Sequence, residues 1–525
     1  MRLGLLDAVI LIVYLIIVAA IGFWVARRER ATTREYFLAG FHVPWYAIGL
    51  SMVASSISTE QFIGEVGFAY SYGMAVANWE WLNFIALSVL IWIFTPFYIR
   101  GRIATMPEFL ERRYGVAPRS IFAWLTVLSY AIVNLSLVLY GGGLALNYIF
   151  RTPIFWSAVL LAVLTGAYTI YGGLSSVVWT DVFQCVLLLI GGLVIFFVGL
   201  HKVGWDAICS TGDRAHLILP ADHPKLPWTA MLALALSTNV WYFCTNQYIN
   251  QRCLAAKDEW HAKMGMIFCG FLGILLGLSV SFPGLIAYAI NPNLEDTNQA
   301  YPYLVTTLLP PAIQGLILAA LVSAIMSTIS SLVNSTATIF SLDIYQRLYR
   351  KNAPDKELIR VGRWCGAVTL LVGVVCVPLV GKWDQIFAYC QEVWVLLAGP
   401  TVAVFVVGVL WKRANNTAAT ITMALSFPLC AVPYVQKFYP FLPGPIENIF
   451  VLGLFVVLIC VALMIVLSLV TAAPPAEKTL GMLWTPSMLR LPAATAATKP
   501  HWYQSVVLWW GLMVLTFTII YAILW

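Results

Sequence analysis

The sequence predicts an all-α, polytopic membrane protein of about fourteen transmembrane helices, and three observations lead there. The chain is 61% hydrophobic and only 10% charged, which excludes a soluble globule. Apolar runs of bilayer-crossing length recur along nearly all of its 525 residues. Basic residues gather in every second connection between those runs.

The spans fall near residues 4–26, 43–70, 77–99, 120–149, 153–172, 177–201, 227–248, 262–290, 312–344, 361–380, 384–411, 415–435, 447–472 and 503–524. The first has no basic leader beyond Arg2 and is followed by Arg27, Arg28 and Arg30. It therefore reads as a retained span rather than a signal peptide. Arg34, Arg100, Arg102, Arg112, Arg113, Arg252, Lys257, Lys263, Arg347, Arg350, Lys351, Lys412 and Arg413 fall on the same side as that first group. Cations on the opposite side are sparse, and the positive-inside rule places both termini outside a cell membrane. The net charge of +7 sits in short loops and does not point to nucleic acid. The ten cysteines form no CxxC pair and the six histidines are dispersed, so neither a disulfide framework nor a zinc site is indicated.

Function is written where polar residues enter the spans. The second span breaks into Ser-Ser-Ile-Ser-Thr-Glu-Gln at residues 55–61. An acid at mid-span costs about 2.5–3.5 kcal/mol on insertion scales, so Glu60 predicts a watered cavity inside a bundle. Small hydroxyl residues let a helix unwind there and offer carbonyls to a cation or solute. Glu65, Glu80, Asp181 and Glu392 also lie at membrane depth, with Asn134, Asn239 and Gln391. Each alone has a plainer reading: Glu80, Asp181 or Glu392 at a solvated span end, Asn134 or Asn239 as interhelical glue, Trp79 or Tyr242 as belt aromatics. Together, carboxylates, carboxamides, an indole and a phenol are the groups that bind a neutral polyhydroxylated solute. In the ninth span, Ser327, Ser330 and Ser331 share one helix face beside Thr328. Close helix packing is one use for such a face. With a second hydroxyl-rich span it points to an alkali-cation site, since sodium is a hard cation that wants oxygen ligands. The sequon at Asn334 lies inside this span, so glycosylation is discarded.

The run ASSISTEQFIG at 54–64 resembles the broken first core helix of the sodium/solute symporter family, and especially its sodium/glucose–galactose branch. YFLAG at 36–40, TMPEF at 105–109, YGGLS at 171–175, WTDV at 179–182, NQY at 246–248 with Gln251 and Arg252, NSTATIF at 334–340 and DIY at 343–345 are similar too, in family order. The resemblance implies two five-helix halves in an inverted repeat, residues 43–202 and 227–411, joined by an extracellular loop at 203–226. Residues 1–42 and 412–525 would be peripheral.

The resemblance also implies a sodium site of Ala54, Ile57 and Ala324 carbonyls with the Ser327 and Thr328 hydroxyls. Some members carry a second site, matched here by Asp181, Ser327, Ser330 and Ser331, so one or two sodium ions and no organic cofactor are expected. Gln61, Glu80, Asn239 and Gln391 match solute ligands, with Asn83 and Asn134 assisting. Tyr242 matches an inner gate; Trp79 and Phe387 match outer-gate aromatics. The pattern departs at three places: Gly273 replaces a lysine, Ser56 an asparagine, and Glu65 enters an apolar gate position. The cavity is thereby more acidic, leaving a monosaccharide, a polyol or an amine-bearing solute open. The implied activity is sodium-driven symport of a small polar solute across the bilayer, with no oligomer required. Proton coupling through Glu60, Glu65 or Asp181 competes, as does a non-accumulating sensor or leak. An enzyme would need a catalytic cluster, and none stands out.

Overall fold

The computed structural model describes residues 4–27, 32–380, 386–425, 428, 439 and 448–525, with the backbone alone at 148–149, 386–390, 392, 393 and 396. The side chains of Phe387 and Glu392 lie outside the described set. Among the described residues the secondary structure is helical, and the sole β feature is an isolated bridge between Val43 and Ala256. Nine helices there are long and apolar enough to cross a membrane.

The gap between nine and about fourteen has local causes. Ile154–Val203 is one continuous 50-residue element that turns at Gly173, where φ is 62°. It carries both the fifth and the sixth expected span. A Cβ at Gly173 would sit 2.3 Å from the Tyr36 carbonyl oxygen, so no larger residue fits this bend. The second and seventh expected spans are interrupted, and of 415–435 only the first half is described, as the short helix Asn416–Ala424.

The second span begins as helix Trp45–Ser56, passes through extended backbone at Ile57, and resumes as the π-helical Glu60–Glu65 followed by Val66–Tyr72. The reason is local. The Ser56 hydroxyl donates to the Val53 carbonyl at 2.9 Å and the Ser55 hydroxyl to the Ser51 carbonyl at 2.7 Å, competing with the helical ladder. Beyond the break, Ser58 Oγ accepts from Glu60 N at 3.2 Å, and Gln61 Oε1 reaches back to Ser58 N at 2.8 Å. Two short caps thus end one half-helix and start the next. The seventh span repeats the design: Trp228–Leu236 kinks at Ser237, Trp241–Thr245 is π-wound, and Asn246 is extended before Gln247–Leu254.

The centre of the bundle is Ile313–Ile339, buried almost end to end and packed against Ile154–Val203. Its entry is anchored from the first span. Asp7 Oδ1 accepts from the amides of Ala312 and Gly315 at 2.8 Å each, placing a carboxylate at a helix N-terminus, where the dipole favours it.

Candidate ion and solute site

The two hydroxyl-rich segments meet. The Ser327 hydroxyl donates to the carbonyls of Ala54 at 2.7 Å and Ala324 at 3.0 Å. The Thr328 hydroxyl donates to those of Ile57 at 3.0 Å, Ala324 at 3.1 Å and Ser55 at 3.4 Å. Five oxygens expected from the sequence therefore share one buried spot between the broken helix and Ile313–Ile339. For a hard cation with oxygens at ~2.4 Å, right-angle neighbours lie ~3.4 Å apart. The observed spacings are slightly contracted by the hydrogen bonds that now link the same atoms.

The Asp181 cluster lies one turn away. Its Oδ2 accepts from Ser51 Oγ at 2.6 Å, Ser55 Oγ at 3.2 Å and Arg252 Nη2 at 3.2 Å. Ser331 Oγ lies 2.9 Å from Ser55 Oγ and also accepts from Arg252. Ser330 donates instead to the Ser327 carbonyl at 2.8 Å. Among the described residues no group hydrogen-bonds to Asp181 Oδ1, which is buried. The structure thus brings Asp181 and Ser331 together through Ser55 and Arg252, while Ser327 and Ser330 bond within their own helix and to Ala54.

Arg252 is the residue that sequence reasoning missed. Placed with the loop cations, it is 1% exposed and forms a buried ion pair with Asp181. Lys263 and Arg113 were likewise grouped with the loops and are buried. Lys263 pairs with Glu259 at 2.9 Å, and Arg113 donates to the Gly408 and Trp411 carbonyls. Arg252 also donates to Ser51 Oγ at 2.8 Å and to the Tyr248 carbonyl. Tyr248 in turn donates through its hydroxyl to Tyr242 at 2.7 Å. Tyr248 therefore links the two places covalently, its main-chain carbonyl held by Arg252 and its hydroxyl bonded at the expected inner gate. The available signal was the i, i+4 pair Ser51 and Ser55, which puts a third hydroxyl on the Asp181 face.

The expected solute residues line several elements. Gln61 caps the restarted half-helix, with its amide 3.4 Å from Glu60 Oε1. Asn239 and Asn134 are buried, and among the described residues neither Asn239 Nδ2 nor Asn134 Oδ1 has a hydrogen-bond partner. Gln391 is buried, whereas Asn83 is only half-buried. Glu60, Asn134, Tyr248, Thr328 and Trp394 surround a small cavity of about 10 Å³, so an expected ion ligand and an expected solute ligand share one wall. Trp394 packs 5.3 Å from the Tyr242 ring, a neighbour that sequence spacing did not indicate. Trp79 lies elsewhere, against Phe68 and Phe450 in a satellite apolar cluster.

The acids are close enough to feel one another. Glu60 and Glu80 both interact through space with Glu65, whose Oε1 accepts from Ser281 at 2.6 Å. A Cβ at Gly273 would meet only the Glu80 carbonyl oxygen, at 3.7 Å. The missing side chain there leaves room beside Glu80.

Two interrupted helices, with buried oxygens gathered at one break, suit the class of sodium-coupled secondary transporters. Residues 36–425 match the family model described as the sodium:solute symporter family, and the chain belongs to that family. It is 37% identical over 459 residues to the sodium/glucose cotransporter of Vibrio parahaemolyticus, covering 81% of this chain and 84% of the relative. It is 34% identical over 482 residues to the sodium/myo-inositol cotransporter of Mus musculus, covering 82% and 67%. A solved Na+-coupled sialic acid symporter, substrate-bound and outward-open, superposes with a TM-score of 0.76 at 25% identity over 90% of this chain and 99% of that one. The nucleobase-cation-symport-1 transporter Mhp1 matches at a TM-score of 0.57 and 15% identity, a likeness of fold alone. The protein is a multi-pass membrane transporter that uses sodium to move a small polar solute.

Proposed function

We propose that the protein couples sodium entry to uptake of a monosaccharide or polyol across the cell membrane, with both termini outside. One observation carries the reading: the hinge at residues 57–61 joins an ion ligand to a solute ligand. Ile57 offers its carbonyl to the oxygen cage, and the amide next in sequence, Ser58 N, is held by Gln61. Sodium entering the cage replaces the hydrogen bonds of Ser327 and Thr328, so both hydroxyls turn their lone pairs to the ion. That fixes the hinge and with it Gln61, before the solute binds against Gln61, Glu80, Asn239 and Gln391, with Asn83 and Asn134 at the margin. The relatives named for glucose and for myo-inositol support the solute class.

Inward release follows when the Tyr242 ring leaves its place against Trp394. Arg252 relays ion occupancy to it through Tyr248. A second sodium would use Asp181 Oδ1 with Ser327, Ser330 and Ser331, and would compete with the Arg252 guanidinium for that carboxylate. Each sodium moved inward contributes about 2.3 kcal/mol per 100 mV of membrane potential. The two five-helix halves, residues 43–202 and 227–411, would rock about this centre.

Proteoliposome uptake of labelled sugars and polyols, with and without a sodium gradient, tests the reading. Accumulation should require the sodium gradient. Accumulation that persists without sodium and follows a pH gradient would favour the proton-coupled alternative; binding without accumulation would make the protein a sensor.

A further inference from the structure

A second cavity lies far from the ion cage and shares no residue with it. It measures about 920 Å³ and is bounded by the segment before the broken helix, the 102–105 turn, Lys257 and the end of the central helix. Its described lining holds Arg34, Arg102, Arg119, Lys257, Arg347 and Lys351 against a single acid, Glu108.

Two of those cations and the acid are already neutralised. Arg347 and Arg119 both pair with Glu111, and Arg119 also pairs with Asp343. The hydrogen bond from Arg347, and then that from Arg119, hold the Glu111 carboxyl down at about 2, against a burial that would raise it. Glu108 is held by Arg112 at 2.5 Å. What remains is Arg34, Arg102, Lys257 and Lys351, none of which meets a carboxylate among the described residues.

The backbone there is held in an unusual shape. Ala39, Phe41 and Arg102 all have φ between 47° and 60°, a left-handed conformation that side chains disfavour. The result sets the Arg102 guanidinium 5.2 Å over the Phe41 ring, at the cavity wall. Orientation bias accounts for cations in these loops. It does not account for four without a carboxylate partner among the described residues around one concavity of small-molecule size.

We propose that this cavity binds a phosphate-bearing anion through Arg34, Arg102, Lys257 and Lys351. Guanidinium forks and ammonium groups are the usual partners of phosphate oxygens. The volume exceeds what inorganic phosphate fills and suits a phosphorylated headgroup or a soluble polyphosphate. Occupancy would tie residues 33–42 to residues 342–351, at the end of the π-wound stretch Phe340–Tyr349 that continues the helix carrying Ser327, and so slow transport.

Binding to the purified full-length chain tests this, with inositol hexakisphosphate as the soluble probe and phosphatidylglycerol against phosphatidylcholine vesicles as the lipid probes. The triple variant Arg34→Gln, Lys257→Gln, Lys351→Gln should weaken binding about fivefold per cation removed, the equivalent of ~1 kcal/mol each. A charge-matched control, Lys202→Gln, Lys225→Gln, Lys412→Gln, should bind like the parent. Circular dichroism and Tm establish that both variants are folded. Binding of the soluble probe identifies a soluble anion; binding confined to phosphatidylglycerol identifies a lipid headgroup. Equal binding by the parent and the triple variant, no binding of any probe by the parent, or equal loss in the control would overturn the proposal.

Discussion

The proposed ion side and the proposed solute side of the same hinge are built on opposite terms. Around Ser327 and Thr328 each hydroxyl already has carbonyl partners, and the fold is closed without any ligand. On that solute side, Asn239 Nδ2 and Asn134 Oδ1 are buried with no hydrogen-bond partner among the described residues. Buried polar atoms without partners are costly, so groups left in that condition are the ones poised to gain most from a bound solute. On this reading the proposed ion site is preorganised, and the proposed solute face would be completed by its cargo.

The sharpest way to break that contrast is at Arg252, which belongs to the preorganised side. Arg252→Met leaves Asp181 buried and unpaired, and should cost about 3–5 kcal/mol of stability, measured by denaturation in detergent. Adding Asp181→Asn should recover much of the loss. Additive losses in the double variant would show that the pair is not coupled.

Ser327→Ala should act next most strongly. It removes one ion ligand, so the sodium concentration for half-maximal uptake should rise about tenfold or more, in line with ~1.5–3 kcal/mol for a charged hydrogen bond. Unchanged sodium dependence would remove Ser327 from the cage.

Asn239→Ala and Gln391→Ala test the other side. Each should raise the solute KM about tenfold while leaving the sodium dependence near that of the parent. Equal shifts in both would mean that the two sides are not separable.

The smallest effect is expected at Gly273. Among the described residues only the Glu80 carbonyl oxygen lies within 4 Å of its missing Cβ, so Gly273→Ala should hold or raise stability by up to ~1 kcal/mol. Gly277→Ala, four residues on, would place its Cβ 2.2 Å from Trp81 Nε1 and should destabilise by about 1–3 kcal/mol. Thermal melts of the two variants distinguish open space from close packing.

The hydroxyl-rich face and the helix break were legible because their signals are local, whereas the carbonyls of Ala54, Ile57 and Ala324 were expected only from the family resemblance. The i, i+3, i+4 spacing puts Ser327, Ser330 and Ser331 on one face, and a run of serines in an apolar span marks the break. The break itself falls at Ile57, within the expected interval, since serine side chains compete with the ladder wherever they stand. Arg252 was not legible in this way. It is separated from Asp181 by 71 residues and from Ser51 by 201, and an arginine just beyond an apolar run reads as an interfacial cation. Tyr248 and Trp394 were hidden for the same reason, as aromatics whose only distinguishing property is what packs against them.

By itself, then, the sequence determined the class of solvent, the helical class, the place where a helix must break and the hard-oxygen chemistry of the break. These follow from transfer energies and side-chain competition that act over a few residues. Tertiary structure alone decided which carbonyls face which hydroxyls, that an arginine occupies the Asp181 carboxylate, and that four cations converge on one cavity. Those outcomes depend on bringing distant segments within a few ångströms, where pairing and desolvation are properties of the packed whole.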